Sequence, residues 1–166
     1  MDFESAMREA LALAREAAEA GEVPVGCVIT DESGAVIGRG RNRREEARDA
    51  CAHAEIEAIR SSCAARGGWN LSGCTLVVTL EPCPMCAGAI INSRISTVVF
   101  GAKEPNSGSV GSVINLFEER YGHRPAVYGG VLAGECAGLL AQFFRSLRGG
   151  QRPQATLRVE APGDAR

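Results

Sequence analysis

An α/β sandwich with a mixed sheet is the fold class that this sequence of 166 residues predicts. Residues 3–20 carry apolar side chains at helical spacing. Two apolar runs of strand length follow on either side of a turn, which is the pattern of a β-hairpin. Beyond the hairpin, strand patterns alternate with helical ones, so we expect a sheet covered by helices.

The first half of the chain is predicted to hold a helix, the hairpin and a second helix. Gly21 ends the first helix, and the segment 31–34 supplies the turn between the strands. His53 lies near the start of the second helix. The predicted bounds are residues 3–20 for the first helix, 23–29 and 35–40 for the strands, 41–49 for a charged loop and 51–60 for the second helix.

The second half continues the alternation of strands and helices. Pro82 or Pro84 is expected to open a helix, because proline is tolerated in a first helical turn. The remaining predicted elements are strands at 75–80, 96–101 and 127–130, a helix end near Asn92, a loop at 104–111, a short helical piece at 114–117 and a final helix with the inner face Leu139, Leu140, Phe143, Phe144 and Leu147. We expect one domain over residues 1–148 and a polar, disordered tail over 149–166.

Composition and charge narrow the class of protein. The formal net charge is −2, which does not by itself announce a nucleic-acid partner. The sequence has no apolar run of membrane-spanning length and opens on charged residues, so we expect a cytoplasmic protein. The seven cysteines are an odd number that argues against a disulfide framework, and only Cys83 and Cys86 form a close pair.

Two short motifs carry the chemistry, HAE at residues 53–55 and PCPMC at residues 82–86. Zinc prefers tetrahedral nitrogen and sulfur ligands, and Cys83 and Cys86 share a face if they lie on one helical turn. A helix N-terminus also favours the thiolates that a metal needs. His53 would be the third ligand, which leaves one position open, as in catalytic rather than structural zinc sites.

Glu55 is the predicted catalytic residue beside this metal site. Its carboxylate can take a proton from a zinc-activated water and pass it to a ring nitrogen and a leaving amino group. Positions i and i+2 diverge on a regular helix, so Glu55 reaches the site only if His53 lies at the very start of the helix. H-x-E followed by P-C-x-x-C is the known signature of zinc nucleobase deaminases. A structural zinc site and a redox pair are the alternatives, but the first has no use for Glu55 and the second has none for His53.

With these motifs, the chain resembles the bacterial tRNA adenosine deaminases of the cytidine deaminase superfamily over about residues 3–148. The likeness extends well beyond the superfamily signature. The matching segments are EVPVG at 22–26, RNR at 41–43, AHAE at 52–55, VTLEPC at 78–83, MCAG at 85–88, SRI at 93–95, VFGA at 99–102, EC at 135–136 and FFR at 143–145.

The resemblance implies a three-layer α/β/α sandwich with a mixed five-stranded sheet, a homodimer and one Zn²⁺ per subunit. It also implies hydrolytic deamination of adenosine to inosine at wobble position 34 of a tRNA, with the anticodon stem-loop as partner. Asn42 matches a residue that contacts the purine, Val23 one that lines the base pocket, and Arg145 one near the anticodon loop. The backbone carbonyl of Glu81 matches the acceptor for the departing amino group, and Glu104 matches an aspartate near the nucleotide backbone.

The chain departs from the common family pattern at Ala50 and Cys51, just before the HAE motif, and at Glu104. These positions bear on the nucleotide context and not on the metal. A free base or nucleoside, such as guanine, cytosine or cytidine, stays open as an alternative substrate. A catalytically silent RNA-binding subunit is a further alternative, although Glu55 would then have no task.

Several segments keep two interpretations each. The loop around Asn42 is rich in arginine, so it is either a phosphate patch or a solvated loop balanced by its own acidic residues. The arginines are Arg39, Arg41, Arg43, Arg44 and Arg48, and the acidic residues are Glu45, Glu46 and Asp49. Asn42 itself either contacts substrate or caps a turn. For Phe143 and Phe144 we expect core packing of at least one ring. One helix face fits either the core or a subunit interface, namely Met85, Ile90 and Ile91.

Overall fold

The computed structural model describes residues 2–150 of the chain. The predicted tail from residue 151 onward lies outside the described residues. The helices found in this range are α1 (Phe3–Glu19), α2 (Arg44–Ala47), α3 (Ala54–Arg66), α4 (Pro84–Asn92) and α5 (Ala133–Arg148). The strands are β1 (Gly26–Thr30), β2 (Val36–Arg41), β3 (Thr75–Leu80), β4 (Thr97–Ala102) and β5 (Ala126–Gly129).

A mixed five-stranded sheet forms the centre of the molecule, in the order β2-β1-β3-β4-β5. Strands β1 and β2 form the predicted antiparallel hairpin, and β1 also pairs antiparallel with β3. Strand β3 pairs parallel with β4, and β4 pairs parallel with β5. The predicted fold class is therefore confirmed.

Helices cover both faces of this sheet, so the molecule has three layers. Alternate strand residues face opposite layers because side chains alternate along a strand. Val28, Val77 and Val99 pack with residues of α1 and α5. Ile29 and Leu76 pack with residues of α3 and α4. The sequence left open whether this face of α4 belongs to the core or to a subunit interface. Ile90 and Ile91 pack in the core between the sheet and the helices α3 and α4.

Two glycines let helices lie directly on the hairpin. A Cβ on Gly26 would overlap the carbonyl oxygen of Ala10 in α1, and one on Gly40 would overlap that of Ala54 in α3. The first turn of α3 is therefore seated against the backbone of β2, and this contact fixes where residues 53–55 lie.

Three predictions about the elements need correction. The segment expected as a charged loop contains the single-turn helix α2, which carboxylate contacts from outside the segment stabilise. Helix α3 continues to Arg66, where Gly67 in the left-handed region ends it. The inner face of α5 excludes Phe144 and Leu147, which are exposed, whereas Phe143 is buried as expected of one of the two rings. The end of α5 lies beside an open cavity, so part of that face is not covered.

Candidate active site

His53 is the residue that caps the start of α3, outside the helix itself. Its backbone is extended, with φ −77° and ψ 154°, and the helix begins at Ala54. Glu55 is then in the first helical turn and is buried. The condition set by the sequence is met, because an imidazole that precedes the helix can share a site with a carboxylate two residues later.

Cys83 and Cys86 lie at the start of α4, as the PCPMC motif predicts. Cys83 caps the helix, Pro84 occupies its first turn and Cys86 follows within the same turn. Strands β2 and β3 run in the same direction, since both pair antiparallel with β1. The helices that follow these strands therefore begin at the same edge of the sheet, which brings the two motifs together.

The donor atoms of His53, Cys83 and Cys86 lie within 4.8 Å of one another. The Nδ1 atom of His53 is 3.6 Å from the Sγ atom of Cys83 and 3.5 Å from that of Cys86. Tetrahedral zinc with Zn–S of about 2.3 Å and Zn–N of about 2.05 Å requires a nitrogen–sulfur separation of about 3.6 Å. The donor set and its spacing therefore fit a zinc ion.

The electrostatics of these groups follow from burial and from their mutual hydrogen bonds. Burial raises the pKa of Glu55 to about 7. A hydrogen bond with Cys86 lowers the pKa of Cys83 to about 4, and that of Cys86 is raised by the same bond. The hydrogen bond to Cys83 raises the pKa of His53. A bound cation would favour the two thiolates, because metal binding displaces protons from its ligands.

An open cavity of 1290 Å³ leads to this site. Four of the five predicted substrate residues line it together with His53, Glu55 and Cys83; the four are Val23, Asn42, Glu81 and Glu104. Arg145 does not line it, and its side chain lies on the exposed surface of α5. Phe143 and Leu147 of the same helix do border the cavity.

Asn42 caps a turn, which is one of the two interpretations left open by the sequence, and it also lines the cavity. Its Oδ1 atom accepts the backbone N–H of Arg44 at 3.1 Å, which caps the turn that opens α2. Its Nδ2 atom donates to the carbonyl of Val23 at 3.2 Å. An amide nitrogen carries two hydrogens, so one N–H can still be offered to a ligand in the cavity.

Three of the five arginines in this region are paired with carboxylates. Arg39 lies 3.2 Å from Glu9, and Arg41 lies 2.9 Å from Glu46. Arg43 approaches Glu46 and also Glu57, at 3.4 and 3.6 Å. Of the acidic partners proposed from the sequence, only Glu46 takes part in these pairs. The other two arginines, Arg44 and Arg48, line the cavity and form no ion pair within 4.0 Å among the described residues.

Sequence reasoning missed the buried carboxylate of Glu22, which lines the same cavity and is 1% exposed. It also assigned Glu81 only a backbone role, whereas its side chain is 3% exposed and is held by several hydrogen bonds. No local signal identifies either one, because acidic residues are exposed in most proteins.

Comparison with known proteins agrees with this geometry. The family described as the cytidine and deoxycytidylate deaminase zinc-binding region matches residues 2–102. A tRNA-specific adenosine deaminase of Bacillus subtilis is 50% identical over 143 residues, which are 86% of this chain and 88% of that protein. A tRNA(Ile)-lysidine synthase of Deinococcus radiodurans is 51% identical over 144 residues, which are 87% of this chain. The match spans only 25% of that longer protein.

A solved structure gives a similar result. It comes from studies of A-to-I editing by tRNA:A34 deaminases at the wobble position of transfer RNA. It is 44% identical in sequence, has a TM-score of 0.78, and covers 81% of this chain and 98% of its own.

Proposed function

The chain belongs to the cytidine and deoxycytidylate deaminase family, among the tRNA-specific adenosine deaminases, and on this premise we propose that it converts adenosine to inosine at the wobble position of a tRNA by hydrolysis. One observation supports the proposed chemistry: the donor atoms of His53, Cys83 and Cys86 lie together, beside the buried carboxylate of Glu55. The tRNA substrate is supported by the high identity to a deaminase that this chain matches over most of its length.

Zinc is the cofactor of this family, and His53, Cys83 and Cys86 are the residues that would hold it. When bound, the metal supplies a Lewis acid that makes a water molecule nucleophilic near neutral pH. Three protein ligands suit this task, because a catalytic zinc site keeps one position open.

Glu55 moves the protons in the proposed reaction. It takes one proton from the attacking water and gives it to N1 of the adenine. It then takes the remaining proton from the hydroxyl group now bonded to C6 and gives it to the amino group, so that the C6–N bond breaks, ammonia leaves and a C6 carbonyl forms. A pKa near 7 suits a group that must both accept and release a proton close to neutral pH. A cation beside it would lower this pKa and favour the carboxylate that accepts first.

The walls of the cavity position the base in this proposal. Val23 packs against the purine, and the free N–H of Asn42 contacts one of its acceptors. The backbone carbonyl of Glu81 accepts from the departing amino group, and Glu104 lies toward the nucleotide backbone. Arg145, which is outside the cavity, would contact the anticodon loop at a distance from the base. A base in a single-stranded loop can enter such a cavity without opening a duplex.

A homodimer and a cytoplasmic location are further parts of the proposal. The dimer is supported by the resemblance and by exposed apolar side chains that a second copy would cover, among them Val113, Ile114 and Tyr121. Light scattering on the purified protein tests it, and a monomer at micromolar concentration would refute it. None of the helices in the described part of the chain has the length and apolar character needed to cross a membrane.

The decisive experiment incubates the zinc-loaded protein with a tRNA that bears A34 and with a matched tRNA that bears G34. We expect inosine among the digested nucleosides of the A34 tRNA and none among those of the G34 tRNA. Guanine, cytosine and cytidine are tested in parallel for release of ammonia, and turnover of these without inosine in the tRNA would replace the proposed substrate. Glu55→Gln is the matched control, because it should keep zinc and lose at least about a hundredfold in turnover.

A further inference from the structure

Two segments border the cavity, and we name them by their residues. The α2 rim is the segment 42–48, which presents Arg44 and Arg48 to the cavity. The loop rim is the segment 104–112, which presents Glu104 and Ser107. The α2 rim has no hydrophobic anchor, because α2 buries no residue. The loop rim buries one apolar side chain in the core, that of Val110, and most of this rim lacks regular secondary structure. Polar contacts therefore hold the α2 rim, and polar contacts together with Val110 hold the loop rim.

The α2 rim is fastened by Glu22, which lies between α1 and β1. Its Oε1 atom accepts the backbone N–H of Glu46 at 2.7 Å, and its Oε2 atom accepts that of Glu45 at 3.2 Å. The carboxylate thus takes up two of the N–H groups that a helix leaves without partners in its first turn. Because each oxygen serves one donor, both are needed.

The loop rim is fastened by Glu81, which follows β3. Its Oε1 atom accepts the backbone N–H groups of Val110 at 3.1 Å and Ser112 at 3.0 Å. Its Oε2 atom accepts the N–H of Glu104 at 3.1 Å and also the hydroxyl of Ser112. Gly108 packs directly on this carboxyl group, since a Cβ there would lie 2.5 Å from the Cδ atom of Glu81.

We propose that Glu22 and Glu81 are positioning residues that set the two rims in the arrangement a single-stranded RNA loop requires. This inference rests on the proposed function. Burying a carboxylate is unfavourable unless its hydrogen bonds are complete, and here all of those contacts go to rim segments. If the rims are already ordered before the RNA binds, no conformational entropy is lost in ordering them on binding. Arg44 and Arg48, which are free of ion pairs in the described structure, then face the phosphates beside the base.

Glu22→Gln and Glu81→Gln test this role. Each substitution turns one acceptor oxygen into an NH₂ group that faces a backbone N–H, and leaves the size of the side chain unchanged. With an anticodon stem-loop RNA bearing A34, we expect KM to rise about tenfold in each variant, because at least one charge-assisted hydrogen bond is lost. We expect kcat to change less than KM and the zinc content to equal that of the parent.

Asp31→Asn is the matched control. Asp31 accepts the N–H groups of Ser33 and Ala35 in the turn between β1 and β2, and it does not line the large cavity. Asp31→Asn should lower the melting temperature and leave KM within about twofold of the parent value. If Glu81→Gln does not fold, Ser112→Ala serves instead, because it removes one donor and keeps the carboxylate; KM should then rise about threefold.

A KM within twofold of the parent in both glutamine variants would overturn the proposal. An equal rise in KM in Asp31→Asn would do the same, because it would show a general effect of lost stability. A parent protein that makes no inosine in this RNA refutes the proposed function itself, and this is seen before any variant is compared.

Discussion

Replacing Gly40 by alanine is expected to displace the first turn of α3 and the metal site with it. Gly40 lies in β2 directly under that turn. Its new Cβ would overlap the carbonyl oxygen of Ala54 and lie 2.6 Å from the backbone nitrogen of Ala58. Both are backbone atoms, so no change of side-chain rotamer relieves the overlap.

The size of the displacement follows from these contacts. Ordinary van der Waals contact begins at 3.4 Å, so the Ala58 nitrogen at 2.6 Å must move away by about 0.8 Å, and the Ala54 oxygen, which would lie closer still, by more. Zinc sites tolerate errors of only about 0.2 Å in ligand distances. Misplacing catalytic groups by about 1 Å can lower a rate about a hundredfold. Overpacking of this kind also destabilises a fold by about 1–3 kcal/mol.

The assay measures zinc per chain, the rate of inosine formation and the melting temperature. Gly38→Ala is the matched control, because Gly38 lies in the same strand under a later turn of α3, where a Cβ would meet Ser62 and the carbonyl oxygen of Ala58, both of which lie beyond the first turn. Gly40→Ala should lose zinc and at least about a hundredfold in rate, whereas Gly38→Ala should lose mainly stability. Full zinc occupancy and a rate within twofold of the parent in Gly40→Ala would refute this reasoning.

Three further predictions concern the metal, the acid side of stability and the last helix. Cys86→Ala should lose zinc and melt at a lower temperature, because metal-binding free energy is also folding free energy, and full occupancy by metal analysis would contradict its assignment as a ligand. Burial opposes the ionisation of Glu81, but hydrogen bonds from Ser112 and from backbone N–H groups outweigh it and hold its pKa below 4.5. Its contribution to stability is therefore present above that pH and lost as the pH falls, so Glu81→Gln should flatten the melting-temperature profile between about pH 5 and 3, and an unchanged slope would contradict this. Phe143→Ala should lower the free energy of unfolding by about 3 kcal/mol and Phe144→Ala by less than about 1 kcal/mol in urea titrations; equal losses would show that burial does not separate the two rings.

The amino-acid sequence by itself determined the alternation of helices and strands and the residues of the metal site. Apolar periodicity is a local property, so the hairpin, β3 and α4 could be predicted close to their observed bounds. The type and spacing of Cys83 and Cys86 indicated thiolates on one helical turn, because that geometry is also local. His53 needed only the condition that it precede its helix, and the structure meets that condition.

Only the tertiary structure decided how the mouth of the cavity is built. The hydrogen bonds that order α2 join residues 23 and 24 positions apart, and those that order the loop rim span 23 to 31 positions. The burial of Glu22 and Glu81 therefore has no local signal, and an isolated acidic residue gives no reason to expect it. The ion pairs of Arg39 and Arg43 with Glu9 and Glu57 depend on the same distant packing. Patterns of neighbouring residues set secondary structure and ligand type, whereas pairing between distant backbone and charged groups is set only when the layers come together.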